Sequence, residues 1–276
     1  MSHEPLRRLS DNVSFWQGDL DRHEQTNVGV IVGGKAGIVI DANFEAPARR
    51  ILQTIEARDR VAVTHLVNTH YHADHSLGNS VYATAGATIV GARGQRAELL
   101  AKGNDDAKVQ TGTAPDQLFP ATLEFSDSLE FHDCGMQLLA IGPAHSGADL
   151  IAWFPADGIL FVGDLAVAWE HGNNFGDPDA DIDGWIRALE RCAALDPRIV
   201  VPGHGRLSDA GVLDAQRAYI SELWELALSA VDRGGDLDDP VVAGRLLARH
   251  PEFAVNEERL RGMSRSMLAA AKTRTT

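Results

Sequence analysis

The chain has 276 residues, 44% hydrophobic and 23% charged, with a formal net charge of −14. That balance suits a globular fold long enough to bury most of its surface without covalent staples. It weighs against a phosphate-binding footprint for nucleic acid and against attraction to an anionic membrane. The two cysteines, Cys134 and Cys192, have no metal-type spacing and read as reduced, buried thiols. The N-terminal stretch has no apolar signal region and no run approaches membrane-spanning length, so the expected location is cytoplasmic.

In chain order, Val13–Gln17 reads as a strand, followed by a polar hairpin loop at 18–27. Residues 28–41 form two β-branched runs about Gly33-Gly34-Lys35, the signature of a hairpin. Residues 45–58 place Ile51, Leu52 and Ile55 on one helical face. Strands are expected at 63–68 and 88–92, with a helical segment after the second. The polar stretch 103–120, which contains Pro115 and Pro120, reads as an excursion or lid. Short strands follow at 122–132, 136–142, 149–154 and 159–163. A helix opened by an Asp cap spans 181–195, and 198–201 is a last strand. From Ser208 the pattern is helical, with a break at 233–240. In the final segment Leu260, Met263, Met267 and Ala271 form a stripe suited to helix packing or a homodimer contact. Strand groups each followed by helices predict two sheets back to back with helices outside.

The stretch 68–79, NTHYHADHSLGN, holds three histidines and an aspartate within six positions. On an extended segment His70 and His72 share a side, because alternate residues face the same way. Both imidazoles can therefore reach one cation, while Asp74 and His75 at the following turn can aim at another. Gly78 permits close backbone approach there. These four residues do not complete two metal shells, since a catalytic zinc takes about three protein ligands plus water. His145 in GPAHSGAD, Asp164 in LFVGDL and His204 in VVPGHG each occupy a short turn after β-structure, where α/β folds place site residues. Five of the eleven histidines belong to this strand-end set, which favours a metal centre over scattered surface histidines. Asp41, at the end of the hairpin, is a candidate partner for a ligating imidazole, or else a turn cap.

The H-x-H-x-D-H run of His70, His72, Asp74 and His75, followed in order by His145, Asp164 and His204, resembles the metallo-β-lactamase superfamily across residues 13–205. The resemblance implies a four-layer αββα sandwich with the metals at one edge. The expected division is a catalytic unit at 1–207 and a helical C-terminal extension at 208–276 packed on it. It implies two zinc ions per chain, one held by His70, His72 and His145, the other by Asp74, His75 and His204, with Asp164 bridging. A hydroxide shared by the ions would attack a carbonyl of a small-molecule ester, lactone, thioester or amide, with Asp74 as the catalytic residue that orients it and handles protons. The antibiotic-destroying members typically carry Cys or Ser where Asp164 stands, and an Asp there resembles the hydrolases of thioesters, lactones and nucleic acids instead; β-lactam turnover is kept as the alternative. The C-terminal basic glutathione-binding signature of glyoxalase II finds no match. A third reading is a mononuclear iron sulfur dioxygenase using His70, His145 and Asp164. Trp16, Trp169, His171 and Phe175 are candidate pocket residues, and the loops 18–27, 103–120 and 165–180 candidate walls.

Overall fold

The computed structural model describes residues 6–19, 25–168, 180–233, 248–249 and 266–272. A first sheet runs in chain order through β1 (Leu6–Arg8), β2 (Val13–Trp16), β3 (Val28–Gly33), β4 (Ala36–Ile40), β5 (Ala62–Val67), β6 (Thr88–Ala92) and β7 (Leu123–Phe125). Its first four strands are antiparallel neighbours, and β4 to β7 are parallel. The second sheet has the order β12 (Ile199–Pro202), β11 (Ile159–Gly163), β10 (Leu150–Phe154), β9 (Met136–Ala140), β8 (Ser128–Phe131). The segment expected as one strand at 122–132 is thus two strands, one in each sheet. Ser126 and Asp127 turn the chain from the first sheet to the second, a break that an even spread of apolar residues conceals.

The side-chain alternation of the strands explains the layers. In β10, Leu150, Ala152 and Phe154 face the space between the sheets, where they meet Val13, Phe15, Ile31, Ile38, Ile40 and Val67. Ile151 and Trp153 face the other way, toward α5 (Ile182–Ala193) and α6 (Gly211–Asp232). The helix α5 buries Ile182, Trp185, Ala188, Leu189 and Cys192, an i, i+3, i+7 stripe, and the Asp181 carboxylate caps it by accepting from Gly184 N–H at 2.9 Å. Leu213, Tyr219, Ile220, Leu223 and Trp224 of α6 join the same core, together with Met267, Leu268 and Ala271 of the helical turn at 266–272. The stripe expected at the C-terminus is therefore used for packing at Met267 and Ala271; Leu260 and Met263 lie outside the described residues. On the far side α1 (Glu45–Arg58) lays Ile51 and Ile55 against the first sheet. The fully buried Leu, Ile, Val, Phe and Met side chains among these each contribute roughly 1.5–3 kcal/mol relative to exposure. The result is the expected αββα order.

Three further helices complete the first half: the short α2 (Ala73–Ser76) and α3 (Asn79–Thr84) and the longer α4 (Gln95–Thr111). The last corrects the expectation of a lid beginning at residue 103. The polar run 104–106 lies on helix, with Gly103 packed close to Leu99 and Leu118 and Ala107 buried. Only from Gly112, a left-handed C-cap, does the chain leave the helix. Among the described residues, no helix is long and apolar enough to cross a membrane.

Candidate metal centre

The centre lies at one shared edge of the two sheets. The chain leaves β5 at Asn68, bends at Thr69 and His70 and, after His72, coils into α2 with Asp74 and His75. His145 comes from the turn between β9 and β10, Asp164 follows β11 and His204 follows β12. All seven predicted ligands are buried. His70 Nε2 and His72 Nδ1 are 2.9 Å apart, and His145 Nε2 is 3.1 Å from the same His72 nitrogen. His75 Nε2 and His204 Nε2 face each other at 3.4 Å, with Asp74 Oδ2 3.2 Å from the latter and 3.8 Å from the former. Donor atoms of His70, His72 and His145 form one set, and those of Asp74, His75 and His204 another, each within 4.8 Å of one another. The Asp164 carboxylate reaches both: Oδ1 is 3.2 Å from His75 Nε2 and from His204 Nε2, and Oδ2 is 3.7 Å from His145 Nε2.

Hydrogen bonds on the outer nitrogens set the tautomers. His204 Nδ1 lies 2.9 Å from the Gln25 carbonyl, which only accepts, so Nδ1 carries the proton and Nε2 turns a lone pair inward. His75 Nδ1 is held in the same way by Asp41 Oδ2 at 3.0 Å. Asp41 also accepts from the Thr69 hydroxyl at 2.9 Å, which leaves that oxygen to accept from His70 Nδ1 at 3.1 Å. A single carboxylate thus orients one imidazole of each set, and the partner role foreseen for Asp41 is what the structure shows. Several inward lone pairs and two carboxylates meeting out of water is a donor chemistry that fits divalent cations.

Electrostatics agree. Burial, and then the neighbouring imidazoles of His75, His72 and His145, holds His70 well below its ordinary value, which keeps it neutral. For Asp164 burial pushes upward but is outweighed by His204 and His75, and the carboxyl stays well below the usual range. Asp74 is lowered likewise, burial being overcome by His75 and His204. Burial opposes charge on His75, yet Asp41, Asp164 and Asp74 raise it well above normal; His204 is raised against burial by Asp164 and Asp74. Two imidazoles drawn toward a positive state by three carboxylates mark the place where positive charge is wanted.

Two glycines let the turns meet. A Cβ on Gly78 would strike the Ala42 carbonyl and the Ala48 side chain, and one on Gly203 would strike the Asp164 carboxylate. Other supports carry no sequence signal: Trp185 packs edge-on to His145 with ring centroids 4.9 Å apart, and Asp149 accepts from the Ser146 N–H and hydroxyl, both at 2.9 Å, bracing the His145 turn. Of the pocket candidates, Trp169, His171 and Phe175 lie outside the described residues. Trp16 is corrected: it is buried on the helix side of the first sheet with Leu6, Val28 and Ile51, away from the ligands. The alternation within β2 sends Phe15 between the sheets and Trp16 toward α1. Of the expected walls, the described ends of 18–27 supply Gln25 and Thr26, and the part of 103–120 up to Thr111 borders the centre as helix rather than loop.

Fold and site together define a four-layer αββα protein with a two-set histidine and aspartate cluster at the common edge of its sheets. The chain belongs to the metallo-β-lactamase superfamily, whose pattern it matches over residues 21–204, and it is a metal-dependent hydrolase of that superfamily. It is 25% identical over 189 residues to a metallo-beta-lactamase type 2 of Bacillus sp. (strain 170), covering 67% of this chain and 69% of that one. It is 29% identical over 164 residues to a hydroxyacylglutathione hydrolase of Methylococcus capsulatus, spanning 59% of this chain and about half, 54%, of that enzyme. In three dimensions it is similar to a metallo-beta-lactamase from Hirschia baltica, with a TM-score of 0.64 at 20% identity over 78% of this chain and 96% of the other.

Proposed function

We propose that the chain is a dinuclear zinc hydrolase that opens an ester, lactone, thioester or amide bond of a small molecule, with residues 1–207 as its catalytic unit. The observation that supports this most is Asp164. Its two oxygens face different donor sets, a placement with a purpose only where both sets are filled. Zinc bound there supplies water ionised near neutral pH and positive charge for a developing oxyanion. His70, His75 and His204 contribute fixed lone pairs because their outer nitrogens are committed to Thr69, Asp41 and Gln25. Asp74 is ionised, so its Oδ2 acts as an acceptor: it can hold a proton of the attacking water and pass it to the leaving atom.

Elemental analysis of the purified protein tests the reading, run beside a panel of lactone, thioester, acyl-glutathione and β-lactam substrates. Two zinc ions per chain with carbonyl hydrolysis is the expected result. One iron per chain with oxygen uptake would replace it by the dioxygenase reading, and fast turnover confined to β-lactams by the lactamase reading.

A further inference from the structure

The Asp74 carboxylate is approached from outside the ligand cluster by a neighbour that no motif marks. From α4, Gln110 Nε2 donates to Asp74 Oδ1 at 3.1 Å. One turn earlier on the same helix, Asp106 receives the same amide group, its two oxygens lying 3.2 and 3.1 Å from Nε2. Asp106 Oδ2 also accepts from the backbone N–H of Ala73 at 2.6 Å. The amide has one orientation, since turning it round would set Oε1 against three carboxylate oxygens. The other Asp74 oxygen, Oδ2, is the one near His204 and His75, and it accepts from the Thr26 hydroxyl at 3.2 Å. The two oxygens of Asp74 therefore have separate surroundings, one facing α4 and the other facing the imidazoles.

We propose that Gln110 and Asp106 are positioning residues for the second donor set, restricting Asp74 to present Oδ2 alone to the ion it shares with His75 and His204. The inference rests on the dinuclear reading above. A short acidic side chain on a four-residue helix has two torsions by which to swing away or to turn both oxygens inward. The Asp106 bond to Ala73 N–H holds the backbone next to Asp74, and the Gln110 bond to Oδ1 holds the carboxylate plane. A neutral amide suits the task. Its two N–H groups satisfy two carboxylates that would otherwise repel, and it adds no positive charge to compete with a cation. A lysine reaching the same spot would place an ammonium beside the ion it was meant to support.

The test is a zinc and cobalt titration of the chelator-stripped full chain against a chromophoric chelator, for the parent and for Gln110→Ala, Gln110→Glu, Asp106→Asn and Asp74→Ala. Lys108→Ala, an exposed change on the same helix, serves as the control. Removing such an outer partner lowers metal affinity about 10- to 100-fold. Gln110→Ala and Asp106→Asn should weaken by that factor the same ion that Asp74→Ala weakens, and alter its cobalt absorption. The other ion and the control should stay within about threefold of the parent. Gln110→Glu keeps the size of the side chain but sets a third carboxylate against two others, and should weaken the same ion. The proposal is overturned if the Gln110 variants bind both ions as the parent does, or lose both equally, which would mean general damage. A parent that takes up one ion only would instead overturn the dinuclear reading, and this inference with it.

Discussion

Asp41→Asn separates charge and tautomer from shape. Asp41 is 2% exposed, and its carboxylate accepts from Thr69 N–H at 2.8 Å, from the Thr69 hydroxyl and from His75 Nδ1. In the asparagine the amide oxygen can keep the Thr69 N–H, but the amide nitrogen then faces His75 Nδ1 and the Thr69 hydroxyl as a donor. His75 must move its proton to Nε2, the atom that faces Asp164 and His204, and the Thr69 hydroxyl must turn, releasing His70 Nδ1. One charge-assisted hydrogen bond is lost outright, about 1.5–3 kcal/mol, which corresponds to roughly a ten- to hundredfold loss of ion affinity. Both ions should weaken, because one imidazole of each set depends on Asp41. Zinc titration of the stripped variant gives the affinities, and nitrogen-15 NMR of its imidazoles reads the tautomer of His75. Parent-like binding of both ions with the Nδ1 proton still in place would refute the reasoning.

Asp74→Ala should cut turnover about a hundred- to ten-thousandfold, the range for general acid–base catalysis, while thermal unfolding of the stripped protein moves little; retained turnover would remove Asp74 from the mechanism. Gly203→Ala drives a methyl into the Asp164 carboxylate and should cost about 1–3 kcal/mol of stability, together with the bridging of the two sets, measured by denaturant unfolding and metal stoichiometry. Asp149 gives a pH prediction for the stripped protein. Burial, aided by Glu98 and partly offset by the Ser146 hydrogen bonds, raises its carboxyl from 3.8 to about 7. Folding then favours the protonated form. This contribution is intact below the unfolded value of 3.8, shrinks as pH rises and is gone above about 7, a swing of roughly 4 kcal/mol. Asp149→Asn should flatten that decline in denaturant midpoints measured from pH 4 to 8; an unchanged slope would assign the decline to other groups.

That the seven histidines and aspartates gather in one place was legible in the sequence because they stand at or just after predictable strand ends and histidine is chemically conspicuous. Asp41 was legible for the same reason, being the residue at which β4 stops. What escaped was information carried by the partner rather than by the residue. Trp16 is aromatic and near the right edge, but which face of β2 it occupies depends on register with β3. The segment 104–111 has the composition of a loop and becomes helix because Leu99, Gly103 and Ala107 find a surface to cover. Gln110 and Asp106 are ordinary polar residues until α4 is laid beside α2. The second sheet's first strand, β8, was merged with β7 because a change of sheet leaves no mark in hydropathy.

The ribbon that carries His70 and His72 is stitched to both sheets. Asn68 N–H bonds to Val90 of β6, Asp41 N–H bonds to Val67 of β5, and Leu150 N–H of β10 bonds to Thr69. Residues 67–75 are thus a seam rather than a loop. An insertion or deletion there would displace ligands and shear the two sheets together.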